Sequence, residues 1–160
     1  RHTRLALAAM ALVPCLAQAA TATTTFPVTT TVLTACTVTA LPLAFTSYNP
    51  TSATATDNTT TMAVLCTTGT PYTVALNKGV NGASVTARKM ILTAGSDLLP
   101  YELYTNTGRT SNWGTTDGSD TVAGSAIGVA QTLTVYGRIP AGATVPAGVY
   151  TDTVTISINY

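Results

Sequence analysis

From Cys36 to Tyr160 the apolar and polar positions alternate with a period of two, and no stretch repeats at 3.6. Alternation of this kind places one face of each segment in a core and the other in water, which predicts strands throughout. Seven are expected: Cys36 to Leu41, Met62 to Cys66, Tyr72 to Leu76, Lys89 to Thr93, Leu99 to Tyr104, Gln131 to Ile139 and Tyr150 to Tyr160. Pro100 cannot donate to a ladder, which places its strand at an edge or at a strand start. The stretch Asn106 to Gly128, rich in Gly, Ser, Thr and Asp, reads as a loop held down by Trp113 and Ile127. Short strands separated by Gly and Pro turns predict an all-β fold, an immunoglobulin-type sandwich rather than a barrel.

Two stretches disturb that pattern. Before the strand set lies another alternating run, Phe26, Val28, Thr30 and Val32, which spans about 20 Å at strand rise with all four side chains on one face. Near the other end, Pro146-Ala147-Gly148-Val149-Tyr150-Thr151-Asp152 has the form of a tyrosine corner, in which a phenol ties an inter-sheet turn to nearby backbone. Such a corner introduces strand F, and the sequence closes within that strand with no strand G expected after it. An orphan strand in front and a missing strand behind point to a subunit completed by a neighbour. The alternative is a first strand paired within its own molecule.

The first residues carry Arg1 and Arg4, an apolar run from Leu5 to Leu16, and the small-residue sequence Ala17-Gln18-Ala19-Ala20. This is the layout of a secretory signal spanning residues 1–19, with cleavage after Ala19. A lipoprotein signal at Leu12-Val13-Pro14-Cys15 fits poorly, because proline directly before the cysteine does not suit that cleavage. About 140 residues then remain, enough for one two-layer core. Cys36 and Cys66 are left as an even pair in an oxidising compartment and are expected to form one disulfide.

Charge changes the picture mainly by exclusion. Seven Lys and Arg face six Asp and Glu with no block of one sign, so neither nucleic acid nor an anionic membrane has a basic patch to bind. Threonine supplies about a fifth of the residues, a β-branched type that suits either face of a strand. The only histidine is His2, inside the signal, so no Ser-His-Asp triad or histidine metal site is available after cleavage. There is no Gly-rich phosphate loop, and no catalytic residue, cofactor or metal is expected. Asp117-Gly118-Ser119-Asp120 reads as a turn rather than a calcium loop, having too few ligands. Trp113 reads as an anchor rather than a sugar-stacking platform.

Taken together, Phe26-Pro27-Val28-Thr29-Thr30-Thr31-Val32, Cys36-Thr37-Val38, Leu43-Ala44-Phe45, Tyr48-Asn49-Pro50, Cys66 and Gly148-Val149-Tyr150-Thr151-Asp152-Thr153-Val154-Thr155-Ile156 resemble the spore coat protein U domain family, which includes pilins of archaic chaperone-usher pili. The resemblance covers the chain from Ala20 to Tyr160. It implies an incomplete immunoglobulin-like β-sandwich lacking the C-terminal G strand, completed by an N-terminal donor strand of another subunit. On that basis residues 20–34 are the donor extension and 35–160 the pilin domain. The donor residues are Phe26, Val28, Thr30 and Val32, and the acceptor groove strand carries Val154, Ile156, Ile158 and Tyr160. Cys36–Cys66 corresponds to the disulfide between the first two strands. The implied partners are identical or related pilin subunits, a periplasmic immunoglobulin-like chaperone and an outer-membrane usher. The implied destination is a cell-surface fibre for adhesion and biofilm formation. Pro27 and the half-polar Thr30 depart from an ideal donor, the first by costing a ladder bond and the second by filling its pocket with a hydroxyl. Two other functions compete: a self-complemented binding module using the Asn106 to Gly128 loop, and a protective coat protein built by the same joint.

Overall fold

The structure, a computed structural model, describes residues 19–160; all of the expected signal except Ala19 lies outside the described residues. The chain divides into two units, Arg1–Thr31 and Val32–Tyr160. The described part of the first holds no strand, and Phe26 and Val28 are 80% and 84% exposed.

The second unit is all β. Its strands are β1 (Cys36–Ala40), β2 (Thr56–Cys66), β3 (Pro71–Leu76), β4 (Arg88–Leu92), β5 (Leu98–Tyr104), β6 (Val122–Ser125), β7 (Gln131–Ile139), β8 (Tyr150–Thr151) and β9 (Ile156–Asn159). A six-stranded sheet has the order β1-β2-β7-β5-β4-β8 and a three-stranded sheet the order β6-β3-β9. Every pairing is antiparallel. The period-two pattern settles which faces meet. Met62, Val64 and Cys66 of β2, Tyr72, Val74 and Leu76 of β3, Leu99, Tyr101 and Leu103 of β5, and Val135 and Ile139 of β7 all enter one buried cluster. A one-residue slip of any of these strands would turn its apolar set outward, so the register is strongly specified.

Between β1 and β2 the chain crosses the core without forming a strand, and its apolar residues still pack inward. Leu43 and Phe45 lie over Gly137 of β7, where a Cβ would stand 2.6 Å from Leu43 Cδ2 and 2.8 Å from Phe45 Cζ. Only glycine allows that approach. Phe45 meets Tyr101 edge-on at 6.5 Å between centroids. The Tyr48 hydroxyl donates to Pro140 O at 2.9 Å and accepts from Ala143 N at 2.8 Å, which ties this crossing to the turn after β7.

Most strands expected from the sequence are present with ends shifted by a residue or so, except that β2 begins six residues earlier, at Thr56. The tyrosine corner is formed: Tyr150 Oη donates to Pro146 O at 2.8 Å. Four expectations are corrected. Tyr150 to Tyr160 is two strands: β8 pairs with β4, and β9 pairs with β3 in the other sheet. Pro100 lies on an interior strand, between β7 and β4; β7 pairs only as far as Glu102, so the proline sits beyond that ladder. The long loop contains β6, which Gly124 and Ala123 disguise in the sequence. Trp113 is an anchor, 1% exposed with Nε1 donating to Val74 O at 2.8 Å, but Ile127 is 64% exposed and anchors nothing. Asp117 to Asp120 forms a turn, with Ser119 N and Asp120 N donating to Thr116 O.

Candidate functional site

β1 and β9 are outer strands of different sheets, lying near one another with no ladder between them. Among the described residues β1 pairs only with β2 and β9 only with β3. Each therefore presents a row of unpaired backbone donors and acceptors on its free side. Where β1 ends and β9 begins a trough of about 400 Å³ opens, whose walls and floor include Leu41, Leu43, Met62, Leu76, Leu103, Val135, Val154 and Ile156. A second hollow of about 720 Å³ shares Leu43, Phe45, Met90 and Tyr150 with it, so the apolar surface continues toward the tyrosine corner.

The alternation of Val154, Ile156 and Ile158 directs these side chains inward, yet all three remain half-buried, because nothing in this unit covers that flank of the core. Apolar side chains left at this depth mark a surface that gains by being covered. One acidic side chain lines the trough, Asp152, at the point where the chain changes sheets. Its carboxylate accepts from Tyr101 Oη at 2.6 Å, Val80 N at 2.9 Å, Asn81 Nδ2 at 3.1 Å and Asn81 N at 3.3 Å. Burial, reinforced by the bond to Asp152, pushes the Tyr101 phenol well above its ordinary value, so it stays a neutral donor. With its carboxylate engaged in this way, the trough is chemically an apolar slot flanked by two strand edges.

At its far wall the slot rests on a rigid clasp. Arg88 is fully buried, and its guanidinium donates to Asn77 O at 2.9 Å, Val85 O at 2.7 Å, Leu76 O at 3.0 Å and Trp113 O at 2.7 Å. Burial pulls it below its ordinary value, an effect that Tyr101, Asp120, Asp152 and Glu102 partly offset through space. On the opposite face of the six-stranded sheet Asp57 is paired bidentately with Arg138 at 2.8 Å and with Arg109 at 3.3 Å. The Arg138 hydrogen bonds hold its carboxyl below the ordinary value.

The residues singled out in the sequence divide into three groups. Val154 and Ile156 line the trough; Ile158 packs partly on the core beside it, and Tyr160 is exposed. Cys36 and Cys66 are bonded, directly opposite one another on β1 and β2, where they fix the first residue of the free edge strand. Phe26, Val28, Thr30 and Val32 are exposed and belong to no strand. Sequence reasoning missed Leu41, Met90, Tyr101 and Asp152 as parts of the site. Leu41, Leu43 and Phe45 do carry a signal, an apolar alternation that continues past the end of β1.

Comparison with known proteins names this architecture. A family model described as the Spore Coat Protein U domain matches residues 22–157. The chain belongs to the spore coat protein U domain family. That family is made of structural proteins, so the chain is not an enzyme. A curated relative, Protein U of Myxococcus xanthus, is 34% identical over 107 residues, covering 64% of this chain and 59% of that protein. In three dimensions the chain is similar to one in the crystal structure of the CsuC-CsuE chaperone-tip adhesion subunit pre-assembly complex from archaic chaperone-usher Csu pili of Acinetobacter baumannii. The TM-score is 0.61 at 24% identity, covering 81% of this chain and 41% of that one. That likeness establishes the β-sandwich as the fold; this chain spans well under half of the Csu chain and about three fifths of Protein U.

Proposed function

We propose that this chain is a structural subunit of a secreted surface fibre, in which residues 26–32 of one copy enter the trough between β1 and β9 of the next. The observation that carries the reading is the pair of unpaired strand edges whose ends, Ala40 of β1 and Ile156 of β9, meet at an apolar slot. An alternating, exposed segment of strand length in the same chain supplies a fitting occupant. Strand addition of this kind takes affinity from main-chain hydrogen bonds and register from alternate side chains in pockets. Burying Phe26, Val28 and Val32 contributes about 5 to 8 kcal/mol per joint. Before assembly the slot needs a temporary occupant, which is the role of an immunoglobulin-like periplasmic chaperone. Delivery through an outer-membrane usher then places the fibre on the cell surface, where it serves attachment and biofilm formation. The likeness to the Csu complex supports this route. The family's description favours a second use of the same joint, in a protective coat, and both uses require polymerisation through the slot.

Phe26→Asp tests the reading, since a carboxylate forced unpaired into an apolar slot costs several kcal/mol. The expected outcome is loss of fibres and of detergent-resistant ladders while the soluble subunit, with its chaperone, stays folded. Normal fibres from this variant would assign residues 26–32 another role.

A further inference from the structure

Each end of the sandwich presents apolar side chains that its own fold does not use. At one pole β1 begins, β2 ends and β3 begins; there Ile127 and Val129 are 64% and 59% exposed, on either side of Gly128. Gly128 is in the left-handed region at φ 78°, with Thr68 Oγ1 2.4 Å from where a Cβ would stand, so this turn is held in one shape. At the other pole β1 and β3 end and β9 begins. There Val80 is 72% exposed, its backbone N–H bound to Asp152 at 2.9 Å. The length of β3 puts these poles about 17 Å apart at strand rise.

Resting on the proposed strand insertion, we infer that these two poles are the halves of a second contact between consecutive copies, Ile127 and Val129 of one against Val80 of the next. The way the chain leaves its domain argues for it. Thr67 Oγ1 donates to Leu33 O at 3.2 Å and accepts from Ala35 N at 3.1 Å, while Thr67 N donates to Ala35 O at 3.0 Å, so the extension is gripped at the Ile127 pole from Leu33 onward. Val32 and Cys36 are four residues apart, at most about 14 Å. The neighbour's slot must therefore open within that reach of this pole.

Which end of the slot opens there follows from polymer geometry. β1 ends and β9 begins at the Val80 pole, since Ala40, Val154 and Ile156 line the same trough. An inserted strand running parallel to β9 would place Val32 at the acceptor's Ile127 pole, from which the acceptor's own extension already departs. Running antiparallel to β9, it enters at the Val80 pole, leaves each copy with one giving and one receiving end, and lets the polymer continue. The Ile127 pole of one copy then faces the Val80 pole of the next, and three exposed apolar side chains are covered.

The test is the double variant Val80→Cys with Ile127→Cys, both positions exposed and too far apart to bond within one chain, polymerised and mildly oxidised. The expected result is a covalent ladder that survives boiling without reductant and is absent from Val80→Cys alone. Polymers that boil down to monomer would overturn the pole contact and leave the strand joint standing. If the unmodified chain forms no polymer and no boil-sensitive ladder, the strand joint falls and this contact with it.

Discussion

Around Arg88 an enclosed guanidinium donates to four carbonyls from three separate segments, and Trp113 closes over it with its own indole N–H satisfied. Along β9 the position is reversed: half-buried isoleucines sit beside a backbone edge that has no partner among the described strands. A buried polar network that is fully paired rigidifies and specifies one arrangement. An apolar edge left open is a surplus of binding free energy held for something else. The clasp lets one flank of the sandwich keep its shape, while the other is the flank proposed to receive a strand.

The contrast can be broken most severely at the clasp. Arg88→Met keeps the side chain's bulk but removes the donors to Leu76, Asn77, Val85 and Trp113, and should cost about 3 to 5 kcal/mol in denaturant unfolding. A loss under about 1 kcal/mol would show that the carbonyls find other partners. The open flank should respond in the opposite direction. A peptide of residues 20–34 added in trans at a hundred times its dissociation constant should stabilise the domain by about 2.7 kcal/mol, read as a raised unfolding midpoint. The same peptide carrying Phe26→Asp should do little.

Smaller effects sharpen the boundary between the two regions. Gly137→Ala places a methyl against Leu43 and Phe45, which also line the trough, so it should cost about 1 to 2 kcal/mol and weaken peptide capture together. Away from both regions, Asp57 offers a pH test. Its folded value lies below its unfolded one, so its contribution is complete above about pH 4 and is lost as pH falls through the lower, folded value. The pair is at the surface, so the acid-side difference between the native chain and Asp57→Asn should stay under about 1 kcal/mol, with peptide capture at neutral pH unchanged.

Much of the fold was legible because it is local. Alternation marked the strands that carry Val64, Val74, Leu103 and Val135, and Pro146 to Asp152 marked the corner that Tyr150 closes. The proposed donor residues stood out for the same reason, as a period-two run separated from the rest. Arg88 was opaque: a charged residue opening a strand looks like an exposed end until the four carbonyls around it are known. Ile127 was misread because an apolar residue in a polar loop looks like an anchor, and its exposure depends on which surface the loop lies against.

By itself, then, the sequence determined the all-β class, the Cys36–Cys66 pair and the tyrosine corner, since each rests on residue spacing within a short stretch or on there being one pair of cysteines after the first strand begins. The tertiary structure alone decided that the chain changes sheets at Asp152, and so brought the end of β1 and the start of β9 to one slot. That step depends on hydrogen bonds reaching Asp152 from Val80, Asn81 and Tyr101, residues about 50 to 70 positions away, and no local pattern encodes a partner at that distance.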